Sequence, residues 1–176
     1  PAALVMATCR TLLRVSTGSG RPPGDVLAEV NDRIQPDIPS GMFVTCLLAM
    51  IDPLSGSMAM ANAGHNLPFQ RSNTSTAEIM ARGMPLGLMP DMFYEEIEGH
   101  LSPGDSLVLT SDGLAEAHDP EGDMYGTDRL RHALSSANGD LVGAALESHT
   151  EFVGADWEQE DDITMVTLAR QLPSAG

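Results

Sequence analysis

The chain has 176 residues, of which 42% are hydrophobic and 19% charged. That length suits one domain with one core, and the composition argues against bulk disorder. Acidic residues outnumber basic ones 25 to 9, a formal charge of −16. A field of that sign repels phosphate backbones and anionic lipid heads, so nucleic acid and membrane surfaces are poor partners, whereas divalent cations are drawn in. No stretch reaches the ~18 apolar residues that a membrane-spanning helix needs, and the start carries no basic, apolar, small-residue signal. Cys9 and Cys46 sit in apolar runs and read as buried free thiols, which fits a reducing, cytoplasmic setting.

Residues 1–15 place Met6, Cys9 and Leu13 at helical spacing, with Arg10 and Arg14 on the opposite face. Pro1 suits a first helical turn, because its missing N–H would be unpaired there in any case. A loop rich in Gly, Ser and Pro leads to a second helix over about 24–34, with Val26, Leu27, Val30 and Ile34 on one side and Pro36 and Pro39 beyond it. The pattern then changes to strands. Residues 43–51 form an apolar run of buried-strand type, and Asp52-Pro53-Leu54-Ser55-Gly56 is turn chemistry that returns the chain through an antiparallel strand at 57–63. A short hairpin around Asn73 (67–71 and 77–80), a strand at 93–100 and a short apolar strand at 106–110 follow. Two helices are expected at 127–137, capped by Thr127, and at 140–153, capped by Asp140 and ended by Gly154. A last strand covers 163–169. Helices, then antiparallel strands, then helices, then a strand reads as an α+β layered sandwich.

Two acidic positions stand out. Asp112 follows the strand at 106–110 directly, and Asp161 with Asp162 directly precedes the strand at 163–169. If those strands are neighbours, the carboxylates converge at one sheet edge. Carboxylate oxygens with no His or Cys close by in sequence suit Mg²⁺ or Mn²⁺ rather than zinc. Each feature also has a plain explanation: Asp-Gly after a strand is commonly a turn, and the acidic run 156–162 a solvated stretch. Spacing alone does not separate the two.

The motif Ser111-Asp112-Gly113-Leu114-x-Glu116-Ala117, followed by Asp161-Asp162-Ile163-Thr164-x-Val166, resembles the C-terminal half of the metal-dependent protein phosphatases (PPM, type 2C). More narrowly, it is similar to the bacterial SpoIIE/RsbU-like serine/threonine phosphatases. Further matches occur in order: Pro1-Ala2-Ala3-Leu4-Val5-Met6, Gly41-Met42-Phe43-Val44-Thr45, Ala61-Asn62-Ala63-Gly64-His65-Asn66-x-Pro68, Met84-Pro85-Leu86-Gly87 and Pro103-Gly104-Asp105. The resemblance covers residues 1–170, leaving 171–176 as a polar tail, and it implies an α-β-β-α sandwich of mostly antiparallel sheets flanked by helix pairs. It also implies that Asp112 and Asp161 are metal ligands, with Asp162 a neighbour, in a site for two Mn²⁺ or Mg²⁺ ions. The family's earlier Gly-Asp-x-x-Gly motif is absent from the sequence, which suggests a piece of a longer chain.

That resemblance makes the expected activity hydrolysis of phosphoserine or phosphothreonine in a protein. The expected substrate is a phosphorylated anti-sigma-factor antagonist of STAS type, with a sensory or receiver domain upstream in the same chain; a homodimer is an arrangement it allows. The competing expectation is a regulatory adaptor that keeps the fold without catalysis. Cys9 and Cys46 have no activating cation nearby in sequence, so a thiol phosphatase is rejected. His65 either shapes the region beside the site or sits in a Gly64–Asn66 turn and bonds backbone. His100, His118, His132 and His149 share no ligand spacing. The methionines, Met58, Met60, Met84, Met89 and Met92 among them, read mostly as core filler.

Overall fold

The structure is a computed structural model that describes residues 2–18, 20–73, 75–154 and 158–172. Pro1, Asp156 and the end of the tail lie outside the described residues. The chain divides into two compact units, one of residues 1–65 and 80–100 and one of residues 66–79 and 101–176.

In the first unit, α1 (Ala2–Thr17) and α2 (Pro23–Ile34) accompany an antiparallel sheet of order β1-β2-β5, made by β1 (Cys46–Ile51), β2 (Ser57–Ala63) and β5 (Glu96–His100). The β1–β2 register runs from Cys46↔Ala63 to Ile51↔Met58, closed by the turn at residues 52–56. Gly56, at φ +82°, supplies the left-handed backbone that this reversal needs. Val26, Leu27, Val30 and Ile34 of α2 are buried with Ala61 and Ala63, whose small side chains let the helix approach. Each such aliphatic contributes about 1.5–3 kcal/mol by leaving water.

Two details of this unit differ from the sequence expectation. Met6 is exposed, because the inward stripe of α1 is Val5, Cys9, Leu12 and Leu13. The strand expected from residue 43 begins at Cys46 and is only half-buried, since β1 lies at the sheet edge; Phe43 is exposed and Val44 forms an isolated bridge with Leu86. Asn31, fully buried, donates from Nδ2 to Met89 O (2.9 Å) and accepts at Oδ1 from Gly87 N (2.9 Å), fastening the 86–89 loop to α2.

The second unit has the sheet order β4-β3-β6-β7, all antiparallel, from β3 (Phe69–Arg71), β4 (Thr76–Glu78), β6 (Ser106–Thr110) and β7 (Met165–Ala169). Its helices are α3 (Asp112–Ala115), α4 (Gly126–Ser136) and α5 (Leu141–Val153), and its core joins Phe69, Val108, Leu114, Tyr125, Leu130 and Leu134. Asp140 caps α5 through a bond from Gly143 N (2.9 Å), and Gly154 ends it at φ +84°, both as expected. Thr127 is not a cap. The fully buried Tyr125 anchors the start of α4, so Thr127 falls inside the first turn. Met58 and Met60 are buried, but Met84 and Met89 are exposed and are not core filler.

His149 of α5 is buried against Tyr125, edge-on at 5.4 Å, and Tyr125 Oη donates to Ser148 Oγ (2.9 Å). Burial lowers the His149 pKa from its ordinary value of 6.5. The unfolded chain therefore takes up this proton more readily than the folded one, so stability is lost as pH falls below the ordinary histidine range. The urea midpoint is expected to fall between about pH 7.5 and about pH 5, and to fall less steeply in His149→Gln. Asn31→Ala should cost about 1–3 kcal/mol in the same unfolding measurement, because two backbone groups lose their partner.

Candidate functional site

Strands β6 and β7 are adjacent and antiparallel, paired from Ser106↔Ala169 to Thr110↔Met165. The chain therefore leaves β6 towards Asp112 at the same end at which it enters β7 from Asp161 and Asp162. Ser111 closes that end. Its N–H donates to Thr164 O (2.9 Å), its hydroxyl donates to Asp162 O (3.0 Å), and the same oxygen accepts from Thr164 N (2.8 Å). With its hydroxyl so engaged, Ser111 makes no side-chain cap to α3.

Asp112 opens a single helical turn rather than a plain reversal, with Glu116 N donating to Asp112 O (2.9 Å). Both aspartates are exposed, and each orients one oxygen on an adjacent amide: Gly113 N donates to Asp112 Oδ1 (3.0 Å) and Asp162 N to Asp161 Oδ1 (2.7 Å). Gly113 is required by space. A Cβ there would lie 2.7 Å from Asp162 O and 3.3 Å from Asp161 C. Among the described residues, no group of three or more His, Cys, Asp or Glu side chains is assembled as a metal cage. Two exposed carboxylates at one sheet end do fit a hard cation that keeps several of its waters.

Four residues around this end, Ser111, His118, Gln159 and Glu160, are given no site role by the sequence reading. Besides Ser111, His118 Nδ1 lies 3.0 Å from Glu160 Oε2, and Gln159 Nε2 donates to Asp161 O (2.8 Å). The partner of His118 is 42 residues away in the chain, which ligand-spacing rules do not detect. Asp105 is structural: buried beside β6, its Oδ2 accepts from Ser102 N (3.0 Å) and Gln70 Nε2 (3.2 Å).

The stretches at residues 62–65 and 84–87 form a scaffold inside the first unit. Asn62 Nδ2 donates to His65 O (2.8 Å) and Ala81 O (2.9 Å), and its Oδ1 accepts from His65 N (2.8 Å). Gly64 sits at φ +72°, where a Cβ would meet Pro85 Cγ at 2.6 Å. His65 is thus held in a tight turn through its backbone, the plainer of its two readings, with its Nδ1 3.5 Å from Thr45 Oγ1. Cys9 and Cys46 are free thiols; burial, with Cys9 adding to it, pushes the Cys46 pKa up to about 12, so it is no thiolate nucleophile.

A family model described as Stage II sporulation protein E (SpoIIE) matches residues 1–171. The phosphoserine phosphatase RsbU of Bacillus subtilis (strain 168) is 29% identical over 179 residues, covering 98% of this chain and 52% of its own length, so the chain spans about half of that relative. The solved RsbU and RsbW domains of a Mycobacterium tuberculosis protein superpose with a TM-score of 0.78 at 25% identity, over 99% of this chain and 49% of that one. The SiaA-PP2C domain of Pseudomonas aeruginosa superposes with a TM-score of 0.76 at 22% identity, over 96% of this chain and 69% of that one.

Gly113→Ala should displace the 161–162 backbone and destabilise the protein by about 1–3 kcal/mol, read from urea unfolding. An unchanged midpoint would mean that the contact of Gly113 with Asp162 is not tight in solution.

Proposed function

The chain belongs to the SpoIIE family, whose solved relatives have the type 2C (PPM) phosphatase fold, and from that premise we propose that it is a metal-dependent phosphoserine/phosphothreonine protein phosphatase. Residues 1–170 would be its phosphatase domain. The observation that carries this reading is the β6–β7 pairing, which brings the backbones at Asp112 and Asp161 to one end of one sheet.

In this reading Asp112 and Asp161 hold Mn²⁺ or Mg²⁺, and Asp162 contributes mainly its backbone carbonyl to the Ser111 hydroxyl. When bound, the divalent ions supply an activated water and offset charge on the phosphoryl oxygens. The chain's own part is to orient both carboxylates through the amides of Gly113 and Asp162 and to keep them exposed to an incoming phosphoprotein. No residue here needs to be phosphorylated in turn, which agrees with the high pKa of Cys46.

The likeness to RsbU supports a substrate in bacterial partner switching, a phosphorylated STAS-type anti-sigma-factor antagonist. It also supports a sensory or receiver module elsewhere in the natural protein and a cytoplasmic location. No helix among the described residues is long and apolar enough to cross a membrane. A regulatory adaptor without catalysis is the second reading, favoured by the lack of a three-residue metal cage among the described residues.

Release of phosphate from a phosphoserine protein should require Mn²⁺, stop on chelation and resume on adding the metal back. Asp112→Asn and Asp161→Asn should each lower kcat about 10²–10³-fold, as loss of a group that stabilises transition-state charge does. Rates unchanged by either substitution remove the ligand assignment, and a full-length protein with no turnover favours the adaptor.

A further inference from the structure

The segment that carries Asp161 is exposed throughout residues 158–162, whereas the ground beside Asp112 is firm. Leu114, Ala115 and Ala117 are buried, and the backbone N–H of the fully buried Tyr125 donates to Ala117 O (2.8 Å). His118 comes next on that floor. A bridge to Met124 fixes its backbone, and the loop that follows is tied by Asp119, whose Oδ1 accepts from Glu121 N (3.0 Å) and Asp123 N (2.8 Å). From this anchored position the His118 Nδ1–H donates to Glu160 Oε2 at 3.0 Å, one residue before Asp161.

We propose that His118 is a positioning residue: its bond to Glu160 ties the 158–162 segment to the buried floor beside Asp112, so that the Asp161 carboxylate is held near its counterpart before a cation arrives. The proposal rests on Asp112 and Asp161 being the ligands. A stabilising role is the weaker explanation, because both side chains are exposed by more than two-fifths and such surface pairs contribute little to overall stability. Fixing a ligand is different. Outer groups that orient ligands change metal affinity by about 10–100-fold, and an exposed pair should fall at the low end of that range.

Two measurements on the chain test this. In the metal-free protein, amide exchange over 158–164 should rise about 3–10-fold in His118→Ala while α4 is unaffected, in keeping with local opening. The double variant His118→Ala/Glu160→Ala should exchange no faster than either single one, as expected of one shared interaction. Calorimetric titration with Mn²⁺ alone should show affinity weakened about 10-fold in His118→Ala and restored within about 2-fold by His118→Arg, which keeps a donor for Glu160. Exchange unchanged in His118→Ala, additive effects in the double variant, or no rescue by arginine overturns the tether. Faster exchange with unchanged Mn²⁺ affinity, in a protein where Asp161→Asn does lose Mn²⁺, overturns the positioning role alone. If Asp161→Asn keeps full affinity, or the wild-type chain takes up no Mn²⁺, the metal reading fails instead, and exchange still judges the tether.

Discussion

The hydroxyl of Ser111 joins the exit of one strand to the entry of another. It donates to Asp162 O and accepts from Thr164 N, while the Ser111 amide reaches Thr164 O. Three bonds at one residue hold two chain segments in register beyond the last ladder pair, Thr110↔Met165. The rest of the candidate site follows from this closure. Asp112 can open a helical turn because Ser111 is extended, at φ −71° and ψ 168°. Gly113 must lack a side chain because the closure presses the 161–162 backbone against it. The aspartates share an end of the sheet because the strands that carry them are antiparallel neighbours.

Buried amides do comparable work in the other unit. Asn31 and Asn62 are almost wholly inaccessible, and each satisfies backbone groups on a loop: Gly87 N and Met89 O for one, His65 N, His65 O and Ala81 O for the other. A buried amide is tolerated only when so bonded. It then fixes a loop more tightly than apolar contact does, because direction as well as distance is specified. The motifs around Gly64-His65 and Met84-Pro85 therefore record a demand of architecture, met through the backbone of His65 and the close approach of Gly64 to Pro85.

Much of this was legible in the sequence. Alternation and turn residues marked β2 and β6 to the residue, because Gly56 and the Pro103-Gly104-Asp105 turn leave the chain few choices there. Asp140 and Gly154 announced both ends of α5. The stripe of α2 was clear because four aliphatic residues at helical spacing have one way to be buried together. Less legible were features decided by distant partners. Met6 lost its place to Val5 because the packing of α1 selects among apolar faces, and Thr127 lost the cap because Tyr125 fixes where α4 begins. At the site, the two aspartates were visible as types at strand ends, whereas Ser111, His118 and Glu160 act through partners that no local pattern names.

The distance along the chain between Ser111 and Asp162 is 51 residues, and both α4 and α5 lie within that interval. Closing a loop of this size costs entropy that is returned only when the helices dock on the sheet. The sheet end that carries both aspartates is therefore closed across a long intervening segment, whose helices contribute Leu130, Leu134, Leu141 and Ala145 to the same core as Val108 and Phe69. The two aspartates, far apart along the polypeptide, are neighbours in space only because everything between them folds back onto the same sheet.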